Sequence, residues 1–209
     1  MNPTLFSKKV FNYLWHRFVL DPSGAGKPVP PEALDNEYRS GAWDHFWGDE
    51  ERERHEVLVH MIASRGSTVS LLDLGCGSGR LASMLDSKTI SNYLGLDLSE
   101  EGLKKARSLN LKHGYFEKAD YTQWIPNQSY DIITFNESLG YAPEPLATAR
   151  SYVTHLNPQG CLIVSHYRYG NYEKIWHNLA KEFVFEKEQS VTNSQGKIWD
   201  LKILLPKVS

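Results

Sequence analysis

Two cysteines in 209 residues, Cys76 and Cys161, are too few to read as a disulfide framework, and a reducing compartment is the expectation. No apolar run reaches the length that spans a bilayer. The first fifteen residues, "MNPTLFSKKVFNYLW", lack an apolar core followed by a small-residue cleavage site. No signal peptide is therefore expected, and the location should be cytoplasmic. Basic excess is missing too: 23 Lys and Arg face 25 Asp and Glu, for a net charge of −2. The longest basic cluster, Lys104 and Lys105 with Arg107 nearby, falls on a predicted helix and reads as a solvated face. This balance argues against a nucleic-acid or membrane-surface partner. Two motif fragments fail on inspection. "GAGK" (24–27) is not a phosphate loop, because Asp21 stands where glycine is needed and Pro28 where Ser or Thr is needed. "HEVLVH" (55–60) places its histidines five apart rather than four, on different helix faces, so no metal site is expected.

What is present is an alternation of short apolar runs and amphipathic stretches. Residues 4–20 carry Phe6, Val10, Leu14 and Phe18 at spacing four, a helical stripe. The proline- and glycine-rich stretch 21–34 reads as loop. A second helix is predicted over 49–65, with Val57, Leu58, Met61 and Ile62 on the same face as Arg54. Strands are predicted at 69–75, 92–98, 114–120, 130–136 and 161–165, separated by helices near 79–86, 99–110 and 144–156, with "NPQG" as a turn. A helix over 171–181 precedes two longer strands, 182–191 and 197–205, joined by the hairpin loop "TNSQG". The fold class is therefore α/β: a seven-stranded, mostly parallel, doubly wound sheet with an antiparallel C-terminal hairpin. Residues 1–48 are expected as an N-terminal helical segment, and 49–209 as a single globular unit.

In such sheets ligands bind at the carboxyl ends of the strands, where strand order switches. The first strand runs into "DLGCGSGR". Gly75, Gly77 and Gly79 let the backbone turn sharply and approach a ligand closely. Asp97 ends the second strand, twenty residues after Gly77, where an acid can accept hydrogen bonds from ribose hydroxyls. A dinucleotide loop wants glycine at the sixth position, and that position is Arg80.

The run Asp73-Leu74-Gly75-Cys76-Gly77-Ser78-Gly79 instead resembles the E/DxGxGxG signature of class I S-adenosylmethionine-dependent methyltransferases. The resemblance covers residues 54–205. "KADYTQW" (118–124) resembles the family's third motif, and "LNPQGCLIVS" resembles its "L-x-P-G-G-x-L" segment, with Gln159 replacing the first glycine. "WDHFWGDEERERHEV", "FNESLGY", "SHYRYG" and "GKIWDLKILLP" together resemble a bacterial subgroup of small stand-alone methyltransferases. The resemblance implies S-adenosyl-L-methionine as cofactor but supplies no substrate; the charge disfavours a nucleic acid, and a hydroxyl or amine of a small metabolite, sugar or natural-product intermediate is the expected methyl acceptor. The resemblance also implies cofactor contacts from Asp73, Gly75, Cys76, Gly77, Asp97 and Leu98. Asp120 would hold the adenine amino group, with Tyr121 beside the ring and Asn136 against the methionine half. Residues 1–48 would supply a lid, and Trp43 would belong to it.

Three further expectations come from the residues around this frame. Arg54 lies on a core-facing stripe and needs a partner; the cofactor carboxylate is one candidate and a structural ion pair with Asp or Glu the other. Glu137, after the buried strand "DIITF", and His166, after the fifth strand, are the candidate bases for an acceptor that arrives protonated. Tyr141, Tyr167 and Tyr169 would line the acceptor pocket. Two rivals remain: a nicotinamide-dependent oxidoreductase, opposed by Arg80, and a non-catalytic S-adenosylmethionine-binding protein. The oligomeric state is left open.

Overall fold

Seven strands form one sheet. The structure, a computed structural model, describes residues 28–112 and 114–207. The helix predicted over 4–20 lies outside the described residues. The strands are β1 Val69–Leu74, β2 Ile90–Asp97, β3 Gly114–Lys118, β4 Tyr130–Asn136, β5 Leu156–Tyr167, β6 Phe183–Thr192 and β7 Ile198–Pro206. Their order is β3-β2-β1-β4-β5-β7-β6; the first five in sequence run parallel, and β7 inserts antiparallel between β5 and β6. The helices are α1 Pro31–Ser40, α2 Asp49–Ala63, α3 Arg80–Met84, α4 Glu100–Arg107, α5 Pro145–Val153 and α6 Tyr172–Leu179. Among the described residues no helix is long and apolar enough to cross a membrane.

The two faces follow from the period-two direction of strand side chains. Leu71, Ile132, Cys161 and Ile163 pack against Leu58, Met61 and Ile62 of α2 and Leu81 of α3. Leu72, Ile133, Leu162 and Val164 pack on the other face against Tyr152 of α5 and Ile175 and Leu179 of α6. Full burial of one such Leu or Ile stabilises by roughly 1.5–3 kcal/mol, so the central strands carry most of the apolar driving force. Ser99 caps α4 as its sequence position suggests, with its hydroxyl accepting from the Gly102 N–H at 3.0 Å.

Two local readings are corrected. The stretch 21–34 is not all loop, since α1 begins at Pro31. Proline at the first helical position loses only an N–H that would have no intrahelical acceptor, and its fixed φ suits the helix. The expected "NPQG" turn is instead a bulge within a longer β5. Tyr130 pairs with Leu156 and Ile132 with Cys161, so residues 157–160 arch outward opposite Asp131. Asn157 Nδ2 donates to Asp131 Oδ1 at 2.8 Å and ties the arch down.

Strand order reverses between β1 and its neighbours β2 and β4. Their carboxyl ends therefore part at Leu74, Asp97 and Asn136, and a crevice opens there.

Candidate active site

A cavity of about 280 Å3 occupies that crevice. The glycine loop forms one wall. Gly75 turns the chain out of β1 at φ +78°, and a Cβ there would stand 2.5 Å from the Ser138 Cβ. Gly77 has φ +57°, and a Cβ there would stand 2.6 Å from the Tyr38 hydroxyl. Backbone angle and close approach both require glycine. The loop is clamped to β2: Gly75 and Cys76 N–H donate to the Leu96 carbonyl, and Gly77 N–H donates to Asp97 Oδ2 at 2.8 Å. Cys76 is buried, and burial raises its thiol pKa well above the ordinary range, so it is inert packing here.

Asp97 also accepts from the Ser99 N–H through Oδ1, at 2.8 Å. Burial pushes its pKa up, and the backbone N–H groups of Ser99, Gly77 and Leu98 pull it back. Each oxygen keeps a lone pair for a ligand hydroxyl. Leu98 lines the cavity beside it. Asp120, beyond β3, lines the same wall and accepts from Thr122 N–H, Thr122 Oγ1 and Gln123 Nε2. Tyr121 reaches the cavity but is mostly core: its hydroxyl donates to the Ser138 carbonyl at 2.8 Å and its ring packs edge-on to Phe135.

Asp73 is not a lining residue. Strand alternation turns it into the sheet, where Tyr93 Oη and Thr134 Oγ1 each donate to it at 2.7 Å. Burial pushes its pKa to about 6 despite those two hydrogen bonds. Its place is beneath the loop, as a support.

On the β4–β5 side the polar groups hold one another. Arg54 is only 1% exposed. Its Nε donates to Glu51 Oε2 at 2.9 Å, and its Nη1 donates to Asn136 Oδ1 and, at 3.4 Å, to Ser165 Oγ. The structural ion pair left open by the sequence is therefore present. His55 Nδ1 lies 2.8 Å from the Glu51 carbonyl and so carries the proton. Nε2 then accepts from Arg54 Nη2 at 3.4 Å. Burial, with the Arg54 charge second, holds this imidazole neutral with a pKa of about 3. Phe46 and Trp199 flank the guanidinium, each 5.8 Å away.

Glu137 lines the cavity at φ +60°, a left-handed conformation uncommon for a side-chain-bearing residue. Its N–H donates to Ser165 Oγ at 3.0 Å; Oε2 accepts from Tyr167 N–H at 3.0 Å and Oε1 from Ser165 Oγ at 2.9 Å. Ser165 has one proton, so it serves either Glu137 or Asn136, and Arg54 already serves Asn136.

Residues between Pro28 and Phe46 line one side of the cavity. Trp43 stacks on Phe46 at 5.5 Å and donates its indole N–H to Glu37 Oε2 at 3.0 Å, and both rings line the cavity. Tyr38 lies across the glycine loop against Gly102. Tyr141, 43% exposed, lines the cavity from the turn after β4.

Three expected site residues lie elsewhere. His166 alternates with Ser165, so it faces α6 and meets the Trp176 ring edge-on at 6.3 Å. Tyr167 packs on Trp199 at 5.3 Å, and Tyr169 stacks on Tyr167 at 6.1 Å; neither lines the cavity. The sequence reading missed Glu51, His55, Ser165 and Tyr38. Glu51 had a signal, three residues from Arg54 on one helix face. Ser165 had another, a hydroxyl closing an apolar strand. Among the described residues no group of three or more His, Cys, Asp or Glu could hold a metal ion.

The sheet order, the antiparallel last strand and the glycine loop facing Asp97 define a class I S-adenosylmethionine-dependent methyltransferase domain. The chain belongs to the methyltransferase domain family, whose model matches residues 66–203. It is 31% identical over 147 residues to trans-aconitate 2-methyltransferase of Shigella dysenteriae serotype 1 (strain Sd197), covering 70% of this chain and 56% of that protein. The chain thus spans little more than half the length of that relative. Among solved structures it resembles the N-methyltransferase NodS from Bradyrhizobium japonicum WM9 in complex with S-adenosyl-l-homocysteine, with TM-score 0.73, 19% identity, and coverage of 86% of this chain and 99% of that one. It also resembles magnesium protoporphyrin IX methyltransferase from Synechocystis PCC 6803 with bound SAM, with TM-score 0.66, 17% identity, and coverage of 84% and 97%. Likeness at those identities concerns the fold.

Proposed function

We propose that this protein transfers the methyl group of S-adenosyl-L-methionine to an oxygen or nitrogen of a small acceptor. The observation that carries this is one cavity lined at once by the glycine loop, Asp97, Asp120, Asn136 and Glu137. Asp97 would hold the ribose, Asp120 the adenine amino group, and Asn136 the methionine half. The sulfonium is already an activated donor, so most of the acceleration comes from holding nucleophile, methyl and sulfur in line. Glu137, fixed by Ser165 and the Tyr167 N–H, still has lone pairs toward the cavity and would orient the acceptor. A hydroxyl or amine acceptor is the first reading. The relative named for trans-aconitate favours a second, a carboxylate acceptor, which is already ionised near neutrality and needs no base.

Calorimetry with S-adenosylhomocysteine and with NAD tests the cofactor. Binding of the first and not the second is expected; binding of NAD alone would overturn the proposal. Transfer of labelled methyl from S-adenosylmethionine to hydroxyl, amine and carboxylate panels, with trans-aconitate among the last, then separates the acceptor classes. Cofactor binding without any labelled product across such panels would favour the non-catalytic binding protein.

A further inference from the structure

Arg80 directly follows the glycine loop, opens α3 and lines the cavity. Its Nε is buried and has no hydrogen-bond partner. Among the described residues no acidic side chain pairs with it. The Trp47 ring lies 5.1 Å from its guanidinium, and Trp47 is itself pinned by an indole N–H donated to Ser78 Oγ at 2.8 Å. The side chain is thus held in place with a donor unused. Arg54 differs. Glu51 balances its charge at 2.9 Å, and Asn136, Ser165 and His55 take three further N–H groups. Among the described residues the uncompensated positive charge lining the cavity is therefore that of Arg80.

We infer that Arg80 binds a carboxylate of a ligand in this cavity: that of the cofactor's amino-acid end or that of an acidic acceptor. The inference rests on the methyltransferase reading and names the residue that anchors its anionic group. The planar N–H groups of a guanidinium match a carboxylate's two oxygens. Because Trp47 already fixes the guanidinium, little side-chain freedom remains to be lost on binding.

Calorimetry on Arg80→Met and Arg80→Lys separates the outcomes, with S-adenosylhomocysteine and 5′-methylthioadenosine as probes. The second keeps the nucleoside thioether and lacks the amino acid. If the carboxylate is the cofactor's, Arg80→Met weakens S-adenosylhomocysteine by about tenfold or more and leaves methylthioadenosine within about twofold, with Lys recovering part of the loss. If it is the acceptor's, both nucleosides are unaffected, and binding of trans-aconitate to the S-adenosylhomocysteine complex is lost in Arg80→Met. Equal weakening of both nucleosides, or no change with any probe, overturns the inference. A thermal melt of each ligand-free variant shows whether it is folded. Wild-type protein that fails to bind S-adenosylhomocysteine would overturn the methyltransferase reading itself. Normal wild-type binding with a silent Arg80→Met overturns this inference alone.

Discussion

On the β1–β2 side of the cavity the key carboxylate, Asp97, is held by backbone N–H groups of Gly77 and Ser99. On the β4–β5 side Arg54, Glu51, Asn136, Ser165 and Glu137 hold one another almost wholly through side chains. The first arrangement presents a ligand-ready acceptor whose own geometry the main chain sets. The second is a buried charge network that joins α2 to the ends of β4 and β5, and it must be complete to be tolerable. Losses on the first side should therefore appear in ligand affinity, and losses on the second in folding stability.

The sharpest way to break this contrast is Glu51→Ala. It leaves the Arg54 guanidinium buried without its counter-ion, and breaking a buried pair in this way costs roughly 3–5 kcal/mol. Urea unfolding should show that loss, and joint replacement of Glu51 and Arg54 by apolar residues should recover much of it. A Glu51→Ala protein within about 1 kcal/mol of wild type would mean that the network is not a unit.

Next in size is Asp97→Ala. Hydrogen bonds to a charged acceptor contribute about 1.5–3 kcal/mol each, so losing two ribose contacts, even at the lower end of that range, should weaken S-adenosylhomocysteine by roughly 100-fold or more. Calorimetry on the folded variant decides it, and unchanged affinity would mean that the acid is misassigned.

The same contrast explains what could be read from the sequence. The loop side was legible because backbone geometry demands particular residues at fixed local offsets: glycine at positive φ, and an acid at the end of the next strand. Strand order was legible because apolar runs alternated with helical stripes. The side-chain network was not, since Arg54 meets Asn136 and Ser165 across 82 and 111 residues of chain, and no local pattern encodes that meeting. His166 was expected after the fifth strand beside Glu137, and it lies within β5 turned toward α6 for a related reason. Position after a strand suggests the sheet edge, but a one-residue phase decides which face a side chain takes. Helix α1 was hidden by prolines counted as breakers, although one of them stands at the helix start.

A pH experiment sharpens the comparison further. His55 has a pKa near 3 when folded against about 6.5 when free. Between those values the unfolded chain binds more protons, so acidification costs stability. Asp73, with a folded pKa of about 6, behaves oppositely: between roughly 4 and 6 the folded chain binds more protons, and acidification adds stability. Each contributes at most about 1.4 kcal/mol per pH unit, and the two offset each other over that window. Urea midpoints at pH 4, 5 and 6 should fall more steeply with acid in Asp73→Asn than in wild type, and less steeply in His55→Gln. Parallel curves for all three proteins would show that neither group carries the shift.

The smallest stability effect belongs to Glu137→Gln, and it bears on the acceptor. The amide keeps one oxygen, which can face the Tyr167 N–H as Oε2 does now. Its NH2 then points at Ser165 Oγ, which must accept rather than donate. Ser165 can do so by turning its proton to Asn136 Oδ1, 3.0 Å away. Only the long 3.4 Å contact from Arg54 Nη1 to Ser165 Oγ is displaced, and Nη1 keeps Asn136 Oδ1, so unfolding free energy should change by no more than about 1 kcal/mol. Kinetics then report on the charge alone. With Glu137 orienting the acceptor, the KM for that acceptor should rise while kcat stays within a few-fold and cofactor affinity is unchanged. A general base would instead lose roughly 10²–10⁴ in kcat, with recovery at high pH as the acceptor ionises unaided. The orienting outcome is expected, because Glu137 is fixed by two donors of β5 and has only its remaining lone pairs to offer. A kcat loss of the larger size, measured on a variant of wild-type stability, would make Glu137 the base and a protonated hydroxyl or ammonium the acceptor.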